Sequence, residues 1–387
     1  MSSISERVRL ARDRPTWLIY LQLGTFATFI YGLSGALPLL RLDQRTSGTV
    51  AGLHGTAMAA GTILAGLSLT FLTRRYGRRV TTWIGLAGMN SGVLLVVLTS
   101  ALPLTLLGYG VAGGFGSIAL YTAMAALSEH HGPAGPAAIS EANAVGVVVG
   151  MAATFLLSAI AQTALGWRAA LLLTPVLTAL LALTMGRVWT RTTTVPAPST
   201  GERPVRPGWR FHLAGGVLFC CVALEFTFNL WAAELFAART GLSAAAAATG
   251  LTAFLAGLGA GRFGGAYLAL RLPPARLFLG ALAITAAGWL LFWLSTLPVL
   301  SYAGLVLSGV GAALHFPLAL AALITHSGGR PDRAGAAAPI WAGSAMAVGP
   351  LALGALADGF GTWHAFLLVP VLIGLAAGGV LIARPRA

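Results

Sequence analysis

Lysine is absent from this chain, acidic side chains number only ten, and charged residues of all kinds make up 9% of it. A soluble domain carries about 25%, so water cannot be the solvent for most of this surface, and lipid must be. Cysteine is nearly missing too. Cys220 and Cys221 are adjacent inside an apolar run, which excludes a disulfide framework and a cysteine-based metal site. The basic balance, +14 from 24 Arg, invites a nucleic-acid partner. The arginines are spread through short loops without interleaved aromatics, and that excludes one.

Long apolar runs are present instead. A spanning helix needs about 20 mostly apolar residues. Such runs fall at 17–40, 48–73, 80–100, 103–128, 136–165 and 168–188, then at 211–238, 242–270, 275–295, 300–325, 334–356 and 363–383. Between the two sets lies a polar stretch with Pro196, Pro198, Pro204 and Pro207. The expected organisation is an all-α polytopic membrane protein of twelve transmembrane helices: a six-helix bundle over 1–188, a linker over 189–210 and a second bundle over 211–387. The 50 glycines suit close helix approach in a membrane bundle. The first apolar run is too long for a signal-peptide core and lacks a clean small-residue cleavage site, so it reads as an uncleaved span.

Loop charge orients the spans. With the N-terminus inside, only Arg41, Arg45, Arg168 and Arg239 face outward and Arg262 lies within a span. The other nineteen arginines fall on the inner side, including Arg7, Arg9, Arg191, Arg203, Arg206, Arg384 and Arg386. The positive-inside rule then puts both termini in the cytoplasm. The halves also repeat. Arg45-Thr46 recurs as Arg239-Thr240, Gly166-Trp167-Arg168-Ala169 as Thr362-Trp363-His364-Ala365, and Arg75 as Arg271, at offsets of 194 to 196. Matching elements at one steady offset mark a duplicated six-helix unit.

The loop after span 2 reads Arg74-Arg75-Tyr76-Gly77-Arg78-Arg79. With the six-plus-six pattern and the basic linker, it resembles the major facilitator superfamily, whose cytoplasmic signature has an acid, Arg, any residue, Gly and two basic residues. Arg75, Gly77, Arg78 and Arg79 match; Arg74 stands where the family has its acid, and Thr70 where it has an upstream Gly. The resemblance implies an MFS fold and alternating access between two bundles. In the family the acid caps a helix of the other half, so here that clasp is missing or carried elsewhere. Glu129 could pair with Arg78 or Arg79, or remain a solvated charge. Span 5 holds Gly146-Val147-Val148-Val149-Gly150 followed by Met151, a partial match to the signature of the family's exporters.

Ionisable groups at membrane depth cost about 2.5–3.5 kcal/mol on insertion scales and are functional candidates by default. Glu225 is the foremost, mid-span 7, with Asn229 one turn on and Trp231 nearby. A buried carboxyl can take up and release a proton near working pH, as a proton-coupled carrier requires. Arg262 in span 8 could pair with Glu225, bind a substrate anion or snorkel to the inner surface. His315 in span 10, next to the kink expected at Pro317, could relay protons to Glu225 or serve as a packing histidine. Gln22, Tyr31 and Tyr121 are further candidates for substrate contact, and Asn90 and Gln162 are polar points on other spans. Glu141 and Asn143 open span 5, Glu141 either as a favourable charge at the helix start or at the mouth of a cavity. Asp43 and Glu234 could pair with Arg45 and Arg239. Glu129-His130-His131 suggests a metal or acyltransfer site, but adjacent helical histidines diverge and cannot share one ion.

The expectation is an alternating-access secondary transporter of a small organic compound in the cytoplasmic (inner) membrane, not an enzyme. Proton-coupled export of a drug or metabolite is the first reading, and proton-coupled uptake by symport the alternative. A membrane-embedded enzyme or a non-transporting receptor is the remote one. No cofactor or metal is expected; the expected partners are the small-molecule substrate, protons and the lipid bilayer, with the chain acting as a monomer.

Overall fold

The computed structural model describes residues 10–46, 48–161, 163–190, 208–242 and 244–383, so Arg7, Arg9, Gln162, Arg191, Arg203, Arg206, Arg384, Arg386 and most of the expected linker lie outside it. All regular structure among the described residues is helical. In chain order the helices are α1 (Arg14–Gln44), α2 (Gly48–Leu98), α3 (Leu102–His131), α4 (Gly135–Ala161), α5 (Gly166–Leu171), α6 (Leu173–Met185), α7 (Trp209–Thr240), α8 (Ala244–Ala269), α9 (Pro274–Leu294), α10 (Pro298–Ala312), α11 (His315–Thr325), α12 (Pro331–Phe360), α13 (Thr362–Ala365) and α14 (Leu368–Ala383).

Among the described residues these make twelve passes. Helix α2 is two of them, folded at Gly77, whose φ of 73° and ψ of 163° are open essentially to glycine alone. Three other passes are each built from two helices, and proline explains every break. Proline offers no N–H to the carbonyl four residues earlier. Pro175 thus frees the turn at Leu171–Leu172, Pro317 the turn at Ala313–Leu314 and Pro370 the turn at Phe366–Leu367, where α5 gives way to α6, α10 to α11 and α13 to α14. Prolines also start α1, α3, α9, α10 and α12, where the missing donor is harmless.

Close packing repeats as the sequence does. A Cβ on Gly92 would come 2.6 Å from the carbonyl oxygen of Gly108, and one on Gly288 2.8 Å from that of Gly304. The two pairs are related by a shift of 196, and each lets two helix backbones touch. Arg45 and Gly241, 196 apart, both end their helices in the left-handed conformation, at φ 51° and 71°.

The two halves, α1–α6 and α7–α14, meet mainly through α2 against α12 and α4 against α8. Gly66 lies on Ala336, Pro339 and Ile340, and Gly343 on Ala59, Thr62 and Ile63. The Gly66 contacts lie towards the end that carries Arg78 and Asp332, and those of Gly343 lie at mid-helix. At the other end Gly52, Gly55, Phe155 and Leu351 of the same helices are exposed. The halves are joined at the arginine-rich end, and these residues at the opposite end are exposed.

Candidate functional site

Between the halves, Glu225 and Arg262 come together. Arg262 Nη2 lies 3.8 Å from Glu225 Oε1, joining α7 to α8. Arg262 is 7% exposed, so its guanidinium turns inward and does not snorkel. Its other contacts are loose. Nη1 reaches the carbonyl oxygen of Asn143 at 3.5 Å, and Nε has no hydrogen-bond partner among the described residues. The Arg262 carbonyl accepts from Ser140 Oγ at 3.2 Å. Arg262 therefore sits on the seam between the halves, touching α4 through both main chain and side chain.

Tyr31 of α1 lies within electrostatic range of both charges. Its ring rests on Gly150, where an added Cβ would come 2.2 Å from Cδ2. The glycine expected to mark an exporter signature thus makes room for a ring beside the charged pair. Gly150→Ala is expected to displace that ring and weaken substrate binding severalfold while leaving the fold intact, measurable by ligand titration of purified protein.

Asn229 stands one turn beyond Glu225, half-buried, with no hydrogen bond among the described residues. Trp231 lays the edge of its indole on Gly354 of α12. Gln22 is 3% exposed with both amide atoms unpartnered, beside a cavity with room for about one water lined by Phe26, Ala123 and Met124. Tyr121 packs against Phe316 of the other half, ring centroids 6.3 Å apart.

His315 is placed apart from the pair. Its Nε2 is 3.2 Å from Thr285 Oγ1 of α9, and its ring faces Phe278. No hydrogen bond or ion pair links it to Glu225 among the described residues, so the packing-histidine alternative describes its surroundings. Asn90 likewise turns to a neighbour in its own half, Thr178 Oγ1 at 2.9 Å.

At the arginine-rich end, Arg78 holds two carboxylates. It bonds Glu129 of α3 and, through Nε at 2.6 Å, Asp332 Oδ1. Asp332 lies in the first turn of α12, where a negative charge suits the helix dipole. The acid missing at Arg74 has its counterpart on the opposite half. Arg79 donates to the Gly186 carbonyl oxygen at 2.5 Å, while Arg75 is exposed beside Tyr76. Gly77 needs its unusual φ to turn this loop, yet a Cβ there would meet no atom within 4 Å. Gly77→Ala is therefore expected to cost only backbone strain, about 1–3 kcal/mol, read as a lower unfolding temperature.

The histidine cluster is a strap. His130 Nε2 is 2.8 Å from Asp13 Oδ2, and His131 Nε2 is 2.8 Å from Thr16 Oγ1. Glu141 accepts from Arg12 Nε at 2.6 Å, which replaces the helix-start role. Burial alone would raise the Asp13 carboxyl, but bonds from Thr16 and His130 outweigh it and hold the group below its ordinary 3.8. A lowered carboxylate stabilises above its unfolded value and loses that contribution as pH falls through the folded one, so the strap should loosen only in strong acid. His130→Ala and His131→Ala are expected to leave transport intact and to cost about 1 kcal/mol of stability each. Complete loss of function would point to chemistry at this cluster.

The outer pairs differ from expectation. Asp43 pairs with Arg168 at 2.6 Å, not with Arg45, which caps α1. Glu234 accepts from Thr362 Oγ1 at 2.6 Å, and Arg239 instead lies over the Trp363 ring. Among the described residues no cluster of three His, Cys, Asp or Glu could hold a metal ion.

Twelve helical passes in two halves, with a charged pair on the seam, have the build of a multi-pass membrane transporter rather than an enzyme. A profile of the Major Facilitator Superfamily matches residues 19–238, more than half the chain, and the chain belongs to that family. No curated protein sequence matches it. Among solved structures it is similar to FucP, a Major Facilitator Superfamily transporter, in the outward conformation, with TM-score 0.81 and 16% identity over 96% of this chain and 99% of that one. It is similar to a single-residue variant of the E. coli fucose:proton symporter FucP, with TM-score 0.77 and 16% identity over 96% and 99% of the two chains. It also resembles the human organic anion transporter MFSD10 (TETRAN), with TM-score 0.78 and 15% identity over 97% and 100%. At such identities these likenesses speak for the fold.

Proposed function

We propose that this transporter is proton-coupled, that Glu225 is the group that takes and gives up the proton, and that the chain works as a monomer in the cytoplasmic membrane with both termini inside. The observation that supports this is the pair itself: a carboxylate and a guanidinium 3.8 Å apart at membrane depth, between halves that must move for transport. The Arg262 guanidinium balances the charge of the carboxylate beside it, so a ligand that draws Arg262 away leaves that charge to be balanced by a proton. Asn229, Tyr31 and Gln22 would offer substrate the neutral hydrogen-bonding groups around it; His315, held by Thr285, would act on protonation only at a distance.

With the arginine-rich end inside, the structure would be the outward-facing state. Export by antiport draws on the partial glycine signature of α4. Uptake by symport draws on the fold shared with fucose:proton symporters. The test uses everted membrane vesicles energised to an acid interior, a pH-sensitive dye and a panel of lipophilic cations, antibiotics and organic acids. Protons leaving the vesicle interior on addition of compound mark antiport. Compound accumulation in right-side-out vesicles driven by an imposed inward proton gradient marks symport. A compound carried in both preparations at rates unaffected by pH would refute proton coupling.

A further inference from the structure

We infer that the substrate is an organic anion, carried in the same direction as the proton, with Arg262 as its binding residue and Glu225 as the internal anion it displaces. This rests on the proton-coupled reading above and names the substrate class of that site.

The geometry of Arg262 carries the argument. A guanidinium has five N–H donors in a flat fork suited to a carboxylate or sulfonate. Here, at 7% exposure, that fork is poorly used. Its approach to Glu225 is 3.8 Å, beyond hydrogen-bond distance, its contact with the Asn143 carbonyl is at 3.5 Å, and Nε has no partner among the described residues. A buried cation held this loosely can gain by taking a better-fitting anion.

Charge balance then sets the coupling. The resting pair is neutral. An arriving anion on Arg262 leaves Glu225 as a second negative charge in the same small volume, and a proton from the open side restores neutrality by binding Glu225. Anion and proton thus enter together. A cationic substrate would do the reverse: it would bind the Glu225 carboxylate in place of a proton and give antiport. A neutral compound would leave the charge of the pair unchanged and give this site no electrostatic reason to take up a proton.

The same contacts link binding to movement. Arg262 touches α4 through Asn143 and Ser140, at the seam that closes the arginine-rich end. An anion that draws the guanidinium away from Asn143 removes one of the ties between α4 and α8, favouring the state open at that end.

The test uses the full chain in nanodiscs, in weakly buffered medium with a pH dye, titrated with benzenesulfonate, benzenesulfonamide and benzyltrimethylammonium. Benzenesulfonate is expected to bind with uptake of about one proton per anion, the charge match drawn above. Arg262→Gln should lose both responses. Arg262→Lys, which keeps the charge without the fork, should bind roughly tenfold more weakly. Glu225→Gln should still bind the sulfonate, with no proton uptake. Binding of benzyltrimethylammonium with proton release, unchanged in Arg262→Gln, would overturn the anion assignment and leave a proton-coupled antiporter. Sulfonate binding without proton uptake in wild type would overturn the coupling. No proton exchange with any of the three probes would overturn both.

Discussion

Glu225→Gln is expected to abolish proton-driven accumulation of substrate while leaving the protein folded and able to bind. Glutamine keeps the shape of the side chain and an oxygen facing Arg262, whose Nη2 lies 3.8 Å from the carboxylate, but it cannot carry a proton. Downhill exchange of labelled for unlabelled substrate should persist, because it requires movement of the two halves and no net proton transfer. Uphill transport should fall to the background of empty vesicles, a loss of about two orders of magnitude or more on the scale of an essential proton-transfer group. Arg262→Gln should lower accumulation as well, by a different route, and the two changes together should not add, since both act on one pair. The measurement is accumulation against exchange in reconstituted vesicles. Full uphill transport by Glu225→Gln would move coupling off α7, and Arg262 would then be a structural tie.

Cutting the link between Arg78 and Asp332 is expected to release the closed end. Asp332→Asn removes the leg that crosses between the halves and leaves Arg78 on Glu129. Arg78→Gln removes both legs and leaves two carboxylates facing each other. Asp332 is 41% exposed at its side chain and Arg78 13%, so the crossing leg belongs nearer the surface range than the buried one. About 1 kcal/mol, or roughly fivefold in the balance between open and closed, is the expected effect for Asp332→Asn. For Arg78→Gln it is about 2–3 kcal/mol, because unpaired carboxylates remain. Spin labels at exposed positions such as Tyr76 and Gly329 would report a longer-distance population at this end, larger for Arg78→Gln. High salt should shrink the Asp332→Asn effect. Unchanged distances in both variants would mean that the other contacts between the halves, those of Gly66 and of Arg262 with α4, hold this end shut.

Much of the architecture was legible in the residues. Apolar runs of span length follow from the cost of placing polar groups in lipid, a local property that each segment reveals by itself, and the offset of 196 from duplication of one unit. The same offset, applied to glycine, would have found Gly92–Gly108 and Gly288–Gly304, because close approach of two helices demands the smallest residue wherever the chain is duplicated. The breaks before Pro175, Pro317 and Pro370 were open to the same reasoning. The departure at Arg74 was visible as a lost acid, while Glu129 was left between a partner of Arg78 or Arg79 and a solvated charge.

The pairings between segments were not legible. Nothing in the local sequence singles out Asp332; folding brings the first turn of α12 against Arg78. Asp43 chose Arg168 over Arg45, two residues away in sequence, because Arg45 is held at φ 51° as the end cap of α1. His315 and Glu225 lie on spans expected to share a cavity, yet rotation of the broken tenth pass turns the imidazole to Thr285. Sequence by itself determined which segments cross the membrane and which charges must lie within it, since burial in lipid is priced residue by residue. Only the tertiary structure decided which of those charges meet, since that depends on the rotation and register of helices far apart in the chain.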